Sequence, residues 1–236
     1  MDLLTYRTKW QDNCLPPEPP EPPVDLVKLL FYASLNSSST AEYNGFGDTS
    51  TIYENGPGVF QNEAYFVNTT LYNFGLNWQL NNDFSQTGIT HSVYVSPYPN
   101  SWGSNMFPSS LLYTKQFITR IWANATHTFS LHTFSNGQNL VNRNLLGENI
   151  FLTITILPDG LTKFYANGIM YNEVQYSIMP ILTDTIAVGS FGVYGTYPIQ
   201  NATAQRGYTW NLSLYEALSD GEIFKLYQAG GNPGLN

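Results

Sequence analysis

Residues 149–168 read NIFLTITILPDGLTKFYANG, and this stretch decides the fold class. Apolar residues alternate with threonine in its first half, which places Leu152, Ile154 and Ile156 on one face of a β-strand. The Asp-Gly and Asn-Gly dipeptides of its second half suit tight turns that need a positive φ angle. The segment therefore predicts three antiparallel strands joined by two hairpin turns, which is a β-meander.

Apolar and period-two patterns elsewhere in the chain predict further strands. Residues 89–96 alternate, which places Val93 and Val95 on an apolar face. The apolar run Leu26–Ala33 predicts another strand. We therefore expect one all-β domain over residues 24–236.

One helix is expected close to the C-terminus. Ser219 and Glu222 have the spacing of a capping box, with Ser219 as N-cap and Glu222 at N3. Leu218 and Ile223 occupy the hydrophobic-staple positions, and Gly230-Gly231 supplies a stop signal. The helix would have two turns and would cover the β domain as a plug or lid.

Residues 1–23 differ in composition from the rest of the chain. The run Pro16–Pro23 favours polyproline II, because each proline fixes its own φ and lacks an N–H group. Leu4, Tyr6 and Trp10 precede this stiff spacer. Two interpretations are open, namely a disordered tail or an extended arm whose apolar side chains dock onto another subunit of an assembly.

The charge content excludes some classes of partner. Charged residues make up 11% of the 236 residues, against about 25% in ordinary soluble domains, and the net charge is −8. Lys and Arg are spread thinly, so we expect neither nucleic-acid binding nor attraction to anionic membranes. No apolar run is long enough for a transmembrane helix, no signal peptide is recognised, and the single cysteine, Cys14, cannot form an internal disulfide.

Several motifs, in this order, resemble the concanavalin A-like lectin and glucanase superfamily, in particular its laminin-G-like jelly-roll branch. The family hairpin is seen at Asp159-Gly160 and Phe164–Gly168, and the following strand that ends in Gly-Ser at Ile186–Ser190. The family's closing motif is seen at Tyr215–Ile223, and a central strand at Ile89–Pro97.

This resemblance covers residues 24–230, with a departure from the family pattern at residues 98–147. It implies two antiparallel sheets packed face to face as a jelly-roll sandwich, with the short C-terminal helix and the extended N-terminal arm added. Members of the family bind carbohydrate, mediate adhesion or hydrolyse glycosides, so the fold does not choose among these roles.

A hydrolytic role is not expected. Glycosidases of this superfamily carry alternating carboxylates on one strand, because residues two apart share a face and can flank one glycosidic bond. The nearest set here is Glu216, Asp220 and Glu222, which straddles the predicted start of the helix. We therefore expect a non-catalytic protein.

A sugar site is a hypothesis for the stretch that follows the central strand. Tyr98 and Trp102 could stack on a sugar ring, and Asn100 and Asn105 could form hydrogen bonds with its hydroxyl groups. A packed loop or a subunit contact is an open alternative for the same residues.

A calcium site is a second hypothesis, because related lectins use loop oxygens of aspartate and asparagine. Asn81 and Asp83 belong to the best local cluster of such oxygens. A solvated turn is the alternative interpretation, and no other cofactor is expected.

Three functions follow from these features. The first is a structural or attachment component on a virion surface, such as a capsid decoration, minor capsid or fibre-head protein, anchored to other subunits through residues 1–23. The second is a free carbohydrate-binding lectin module, extracellular or cytoplasmic and exported by a non-classical route. The third, a glycoside hydrolase, is disfavoured by the missing carboxylate pattern.

Overall fold

The structure is a computed structural model that describes residues 25–38, 40–46, 52–54, 58–68, 74–97, 109–114, 118–123, 128–133, 136–142, 149–176, 182–190 and 206–235. In this part of the chain it contains a 3-10 helix, Leu26–Lys28, and an α-helix, α1, Asp220–Gln228. The strands are β1 (Leu29–Ala33), β2 (Tyr43–Asn44), β3 (Ile52–Glu54), β4 (Val59–Gln61), β5 (Ala64–Asn68), β6 (Phe74–Asp83), β7 (Ile89–Pro97), β8 (Ser109–Thr114), β9 (Ile118–Ala123), β10 (Thr128–Thr133), β11 (Asn136–Asn142), β12 (Ile150–Ile156), β13 (Leu161–Ala166), β14 (Ile169–Gln175), β15 (Leu182–Ser190) and β16 (Arg206–Tyr215).

The strands form two sheets in which every pairing is antiparallel. The first sheet has the order β14-β13-β12-β7-β16-β1-β2, and the β4-β5 hairpin joins it by pairing with β16. The second sheet has the order β11-β10-β9-β8-β15-β6-β3. The predicted all-β sandwich with one short helix is confirmed.

A hydrophobic core fills the space between the two sheets. Trp78 and Ile186 of the second sheet share one cluster with Phe31, Val93 and Ile154 of the first. Each of these five side chains is at most 1% exposed, and the rings of Phe31 and Trp78 lie 5.2 Å apart. Because both sheets contribute to one cluster, they pack face to face.

The meander predicted from residues 149–168 is confirmed. Strand β13 pairs with β12 on one side and with β14 on the other. Gly160 has a φ of 87° in the first turn, and Asn167 and Gly168 have φ angles of 52° and 73° in the second. These are the left-handed conformations for which asparagine and glycine are favoured.

Strand β12 is buried on both faces rather than on one. Its outward face carries Phe151, Thr153 and Thr155, all fully buried. The Thr153 hydroxyl donates to the Ser92 Oγ at 3.1 Å, and the hydroxyls of Thr155 and Thr90 lie 2.9 Å apart. Because these hydroxyl groups are paired with one another, their burial costs little.

Helix α1 lies on this outward face of the first sheet. Ile223 and Leu226 are buried in a second cluster that includes Phe151 and Tyr165. The predicted capping box is present, and the segment after the helix reverses at Gly230-Gly231, with φ angles of 68° and 76°. The predicted helix and its position as a cover are confirmed.

Two ion pairs fix the N-terminal end of α1. The Lys163 Nζ and the Tyr165 hydroxyl both donate to Asp220 Oδ1 at 2.9 Å. The hydrogen bond from Lys163 is the main cause that holds the pKa of Asp220 below its ordinary value. The Lys28 Nζ donates to Glu222 Oε1 at 2.7 Å.

Ser219→Ala is expected to lower the free energy of unfolding by about 1 kcal/mol, because the helix loses its N-cap acceptor. Gly221→Ala, two residues further on, is expected to raise it by about 0.5–1 kcal/mol, because an added Cβ meets nothing within 4 Å and alanine favours helix. Urea denaturation of both variants gives the test. Equal stabilities for the two variants would contradict the role of the cap.

The strand predicted over Leu26–Ala33 begins three residues later than expected. Residues 26–28 form the 3-10 helix instead, because Asp25 caps it. The Asp25 Oδ1 accepts from the Val27 N–H at 3.0 Å, and the Asp25 carbonyl accepts from the Lys28 N–H at 3.0 Å. A local side-chain bond thus competes with the sheet ladder.

Among the described residues, no helix has the length and apolar character needed to cross a membrane.

Candidate functional site

A cavity of about 940 Å³ opens on the outward face of the first sheet, beside the end of α1. Its volume lies at the upper end of the range of about 300–1,000 Å³ that is typical of small-molecule sites. Aromatic, amide and carboxylate side chains from distant parts of the sequence line it. The lining residues are Tyr32, Ser34, Asn36, Glu42, Asn62, Glu63, Ala64, Ser96, Asn149, Tyr208, Trp210, Asn211, Asn232 and Leu235.

The two central strands β7 and β16 supply the floor. Ser96 pairs with Tyr208, and Tyr94 pairs with Trp210, so strand alternation turns all four side chains outward. The ring of Trp210 stacks on that of Tyr94 at 5.1 Å and 11°, and the ring of Tyr208 lies 4.7 Å from Phe66. Burial raises the pKa of Tyr94 to about 12. The floor therefore presents aromatic surface.

Asn211 joins three segments at one wall. It lies at a bulge of β16 with a φ of 50°, a conformation that asparagine tolerates. Its N–H donates to the Ser34 carbonyl at 2.9 Å, and its Oδ1 accepts from the Tyr32 hydroxyl at 2.9 Å. Its Nδ2 donates to the Gly230 carbonyl at 2.6 Å. One side chain thereby connects β1, β16 and the segment after α1.

The carboxylate of Glu42 is held at the same wall by Ser34. Its Oε2 accepts from the Ser34 N–H at 2.8 Å, and its Oε1 accepts from the Ser34 hydroxyl. Burial, and secondly the charge of Glu42, raise the pKa of Tyr32 well above its ordinary value. The Tyr32 hydroxyl therefore keeps its proton and remains the donor to Asn211.

The turn between β4 and β5 supplies a second carboxylate. Asn62 and Glu63 have φ angles of 53° and 57°, as in a type I′ hairpin turn. Glycine is preferred at the second position, so glutamate there costs on the order of 1 kcal/mol. The Asn62 Nδ2 lies 3.5 Å from the Tyr208 hydroxyl. The hairpin pairs with the edge of β16 that β1 also occupies, so Glu63 enters the lining from the same side of β16 as Glu42.

The segment after α1 closes the remaining side through Asn232 and Leu235. Its path requires glycine at Gly231, where φ is 76° and a Cβ would come within 3.1 Å of the rings of Phe151 and Tyr94. The close approach brings the segment down onto the aromatic floor, which positions Asn232 at the cavity.

The charge of the lining is of one sign. Glu42 and Glu63 are its ionisable carboxylates, and none of the described lining residues is lysine, arginine or histidine. His91 belongs to the fully buried part of β7, and burial lowers its pKa to about 3. The described lining therefore offers aromatic rings, amides, hydroxyls and carboxylates.

The sugar site predicted at Tyr98, Asn100, Trp102 and Asn105 lies outside the described residues. In sequence it follows β7 directly, and β7 contributes Ser96 to the cavity. The docking residues Leu4, Tyr6 and Trp10 of the arm also lie outside the described part. Both assignments stay predictions.

The calcium site predicted at Asn81 and Asp83 also stays a prediction. The Asp83 Oδ1 accepts from the Ser85 N–H at 2.9 Å, and hydrogen bonds from Ser85 lower the pKa of Asp83. Asp83 thus shapes the turn that leads into β7, at the opposite end of that strand from Ser96. Within the described ranges, no group of three or more His, Cys, Asp or Glu residues is placed to hold a metal ion.

Sequence reasoning missed the residues that line the cavity. Tyr208 and Trp210 are two apart on a strand, and this period was a usable signal for an aromatic face. Glu63 gave no signal, because a turn of this kind is expected to carry Asn-Gly. Glu42 and Asn211 meet only through the folded chain.

No protein-family model matches the sequence, and no curated protein matches it. Among solved structures, the fold is similar to a sialidase of Trypanosoma rangeli in complex with 2,3-difluorosialic acid, with a TM-score of 0.65 and 12% identity. The alignment covers 98% of this chain and 39% of the sialidase chain.

The fold is also similar to the binding domain of botulinum neurotoxin serotype D, with a TM-score of 0.63 and 13% identity over 87% of this chain and 54% of that one. The receptor binding domain of the botulinum neurotoxin C/D mosaic serotype is similar with a TM-score of 0.62 and 14% identity. That alignment covers 89% of this chain and 55% of the toxin chain. The chain thus spans about two fifths of the sialidase and just over half of the toxin chains. At these identities the similarity shows the β-sandwich fold.

Proposed function

We propose that this protein is a non-catalytic carbohydrate-binding domain and that the cavity on the first sheet holds the sugar. The observation that carries the proposal is the combination of Tyr208 and Trp210 on the floor with Asn62, Asn211 and Asn232 around it. Few types of ligand match both surfaces at once.

A sugar ring presents C–H groups on its faces and hydroxyl groups around its edge. An aromatic ring covers the former, since it offers a flat apolar surface at low conformational cost. Amide and carboxylate groups match the latter, because each hydroxyl both donates and accepts. Trp210 is already oriented by its stack on Tyr94, so little freedom remains to be lost on binding.

The fold supports the same proposal by analogy. The similar solved structures include a sialidase in complex with sialic acid and a receptor binding domain of a toxin. Together with the motif resemblance, they favour membership of the concanavalin A-like superfamily in its laminin-G-like branch. Since fold alone does not fix a ligand, the cavity carries the argument.

The absence of catalysis is part of the proposal. Both oxygens of Glu42 accept hydrogen bonds from Ser34, which suits a carboxylate that orients a ligand. Glycoside hydrolysis needs two carboxyl groups on either side of one bond, one of them able to donate a proton. Bound oligosaccharides should therefore be recovered intact.

Ser96→Trp tests the location of the site. The side chain at position 96 points outward from β7 into the floor, so an indole there occupies part of the cavity and obstructs a ligand. We expect glycans that bind the full-length protein on an array to lose binding by about 30-fold or more. Gln86→Trp, in the exposed turn at the other end of β7, is the matched control and should bind normally. Undiminished binding by Ser96→Trp would place the site elsewhere.

The predicted role as a virion attachment component stays a second, finer hypothesis. It depends on residues 1–23, which lie outside the described part of the chain. The described lining of the cavity begins at Tyr32, so the sugar site and the arm can be separated by truncation.

A further inference from the structure

We propose that the cavity accepts neutral saccharides and saccharides that carry an amine, and that it rejects those with carboxylate, sulfate or phosphate groups. This inference rests on the proposed function and names the class of sugar. It follows from the sign and the placement of the charges around the cavity.

The two carboxylates enter the lining from different segments on the same side of β16. Glu42 follows β1 and is fixed there by Ser34, while Glu63 is held by the hairpin between β4 and β5. A ligand that rests on Trp210 therefore shares the cavity with two negative groups. Both groups repel an anionic substituent inside the cavity, whereas a hydroxyl or an amine can donate a hydrogen bond to either of them.

The backbone adds to the negative potential. Helix α1 ends beside the cavity, where the Gly230 carbonyl accepts from Asn211. The C-terminal end of a helix carries a partial negative charge, which disfavours anions and favours cations nearby. The protein as a whole has a net charge of −8, so the long-range field has the same sign.

Three described lysines, Lys28, Lys163 and Lys225, lie in or beside α1, and none of them lines the cavity. Lys225 lies in the last turn of α1, where its side chain is exposed. Lys28 and Lys163 are paired with Glu222 and Asp220 at the other end of α1. No lysine, arginine or histidine occurs among the described lining residues. Repulsion between an anionic ligand and the carboxylates of a partly enclosed site weakens binding strongly. Such repulsion is a common source of specificity.

The test uses pairs of glycans that differ in one charged group. Suitable pairs are lactose with sialyllactose, and N-acetylglucosamine oligomers with their sulfated and de-N-acetylated forms. For the full-length protein we expect each acidic form to bind about tenfold or more weakly than its neutral parent. The amine form should bind at least as tightly as the parent, with an advantage that declines as salt is raised.

The double variant Glu42→Gln/Glu63→Gln gives the second readout. In this variant the ratio of the Kd for the acidic glycan to the Kd for the neutral glycan should fall to about threefold or less. The repulsion is removed, because glutamine keeps the shape of glutamate without its charge. Glu173→Gln removes the same charge from the exposed strand β14, and it should leave the ratio unchanged. Glu63→Gln alone, at an exposed turn, should give an intermediate ratio if the double variant folds poorly.

The outcomes separate the two proposals. Binding of neutral and acidic forms with equal affinity would overturn the charge selection and leave the carbohydrate site intact. A ratio that is unchanged in Glu42→Gln/Glu63→Gln would do the same. A complete lack of glycan binding would overturn the proposed function and the selection with it.

Discussion

Trp210→Ala should weaken glycan binding by about 30-fold or more, which corresponds to a central contact worth about 2 kcal/mol. Trp210 lies on the floor of the cavity with its ring stacked on Tyr94 at 5.1 Å. Its removal deletes the largest apolar surface against which a sugar ring can rest. Titration calorimetry with the tightest glycan from an array gives the measurement.

Two further variants make the result interpretable. Trp210→Phe keeps an aromatic face and should retain a substantial part of the affinity. Tyr171→Ala removes an aromatic ring that is 51% exposed on β14, away from the cavity, and should bind as the unmodified protein does. Equal affinity of Trp210→Ala and the unmodified protein would refute the role of the floor.

Trp78→Ala should lower the free energy of unfolding by about 3–5 kcal/mol, because truncation of a large buried side chain leaves a cavity. Trp78 has no exposed surface and packs across the sandwich onto Phe31 at 5.2 Å. A loss of this size is a large fraction of the total stability of about 5–15 kcal/mol of a typical domain. Guanidinium denaturation measures it.

The matched control is Val27→Ala, whose side chain is 86% exposed. It should change the free energy of unfolding by about 0.5 kcal/mol or less. A loss below about 1 kcal/mol for Trp78→Ala would mean that the two sheets do not share one close-packed core.

The parts of the fold that follow from local chemistry could be predicted from the sequence. The turn at Asn167-Gly168 needs positive φ angles that few other dipeptides adopt, and Ser219 with Glu222 forms its capping box within four residues. Alternation in β12 correctly grouped Leu152, Ile154 and Ile156 in the core.

The parts that depend on distant contacts could not. Burial of the outward-facing Phe151 depends on α1, which begins more than 60 residues later and packs Ile223 and Leu226 into the same cluster. The cavity likewise combines Glu42, Glu63 and Asn211, which the sheet order brings together and no local pattern relates. Among the lining residues, only Tyr208 and Trp210 could be related from the sequence. They are two residues apart on one strand and therefore point to the same side.

The central claim is that the cavity is a sugar site. The most direct test is to measure the changes in backbone amide chemical shifts by NMR when a glycan is added. On addition of a neutral glycan that binds, the account predicts shifts concentrated at Ser34, Glu63, Ser96, Asn211 and Asn232. Shifts that cluster instead at the Asp83 turn or along β14, with these five amides unchanged, would contradict it.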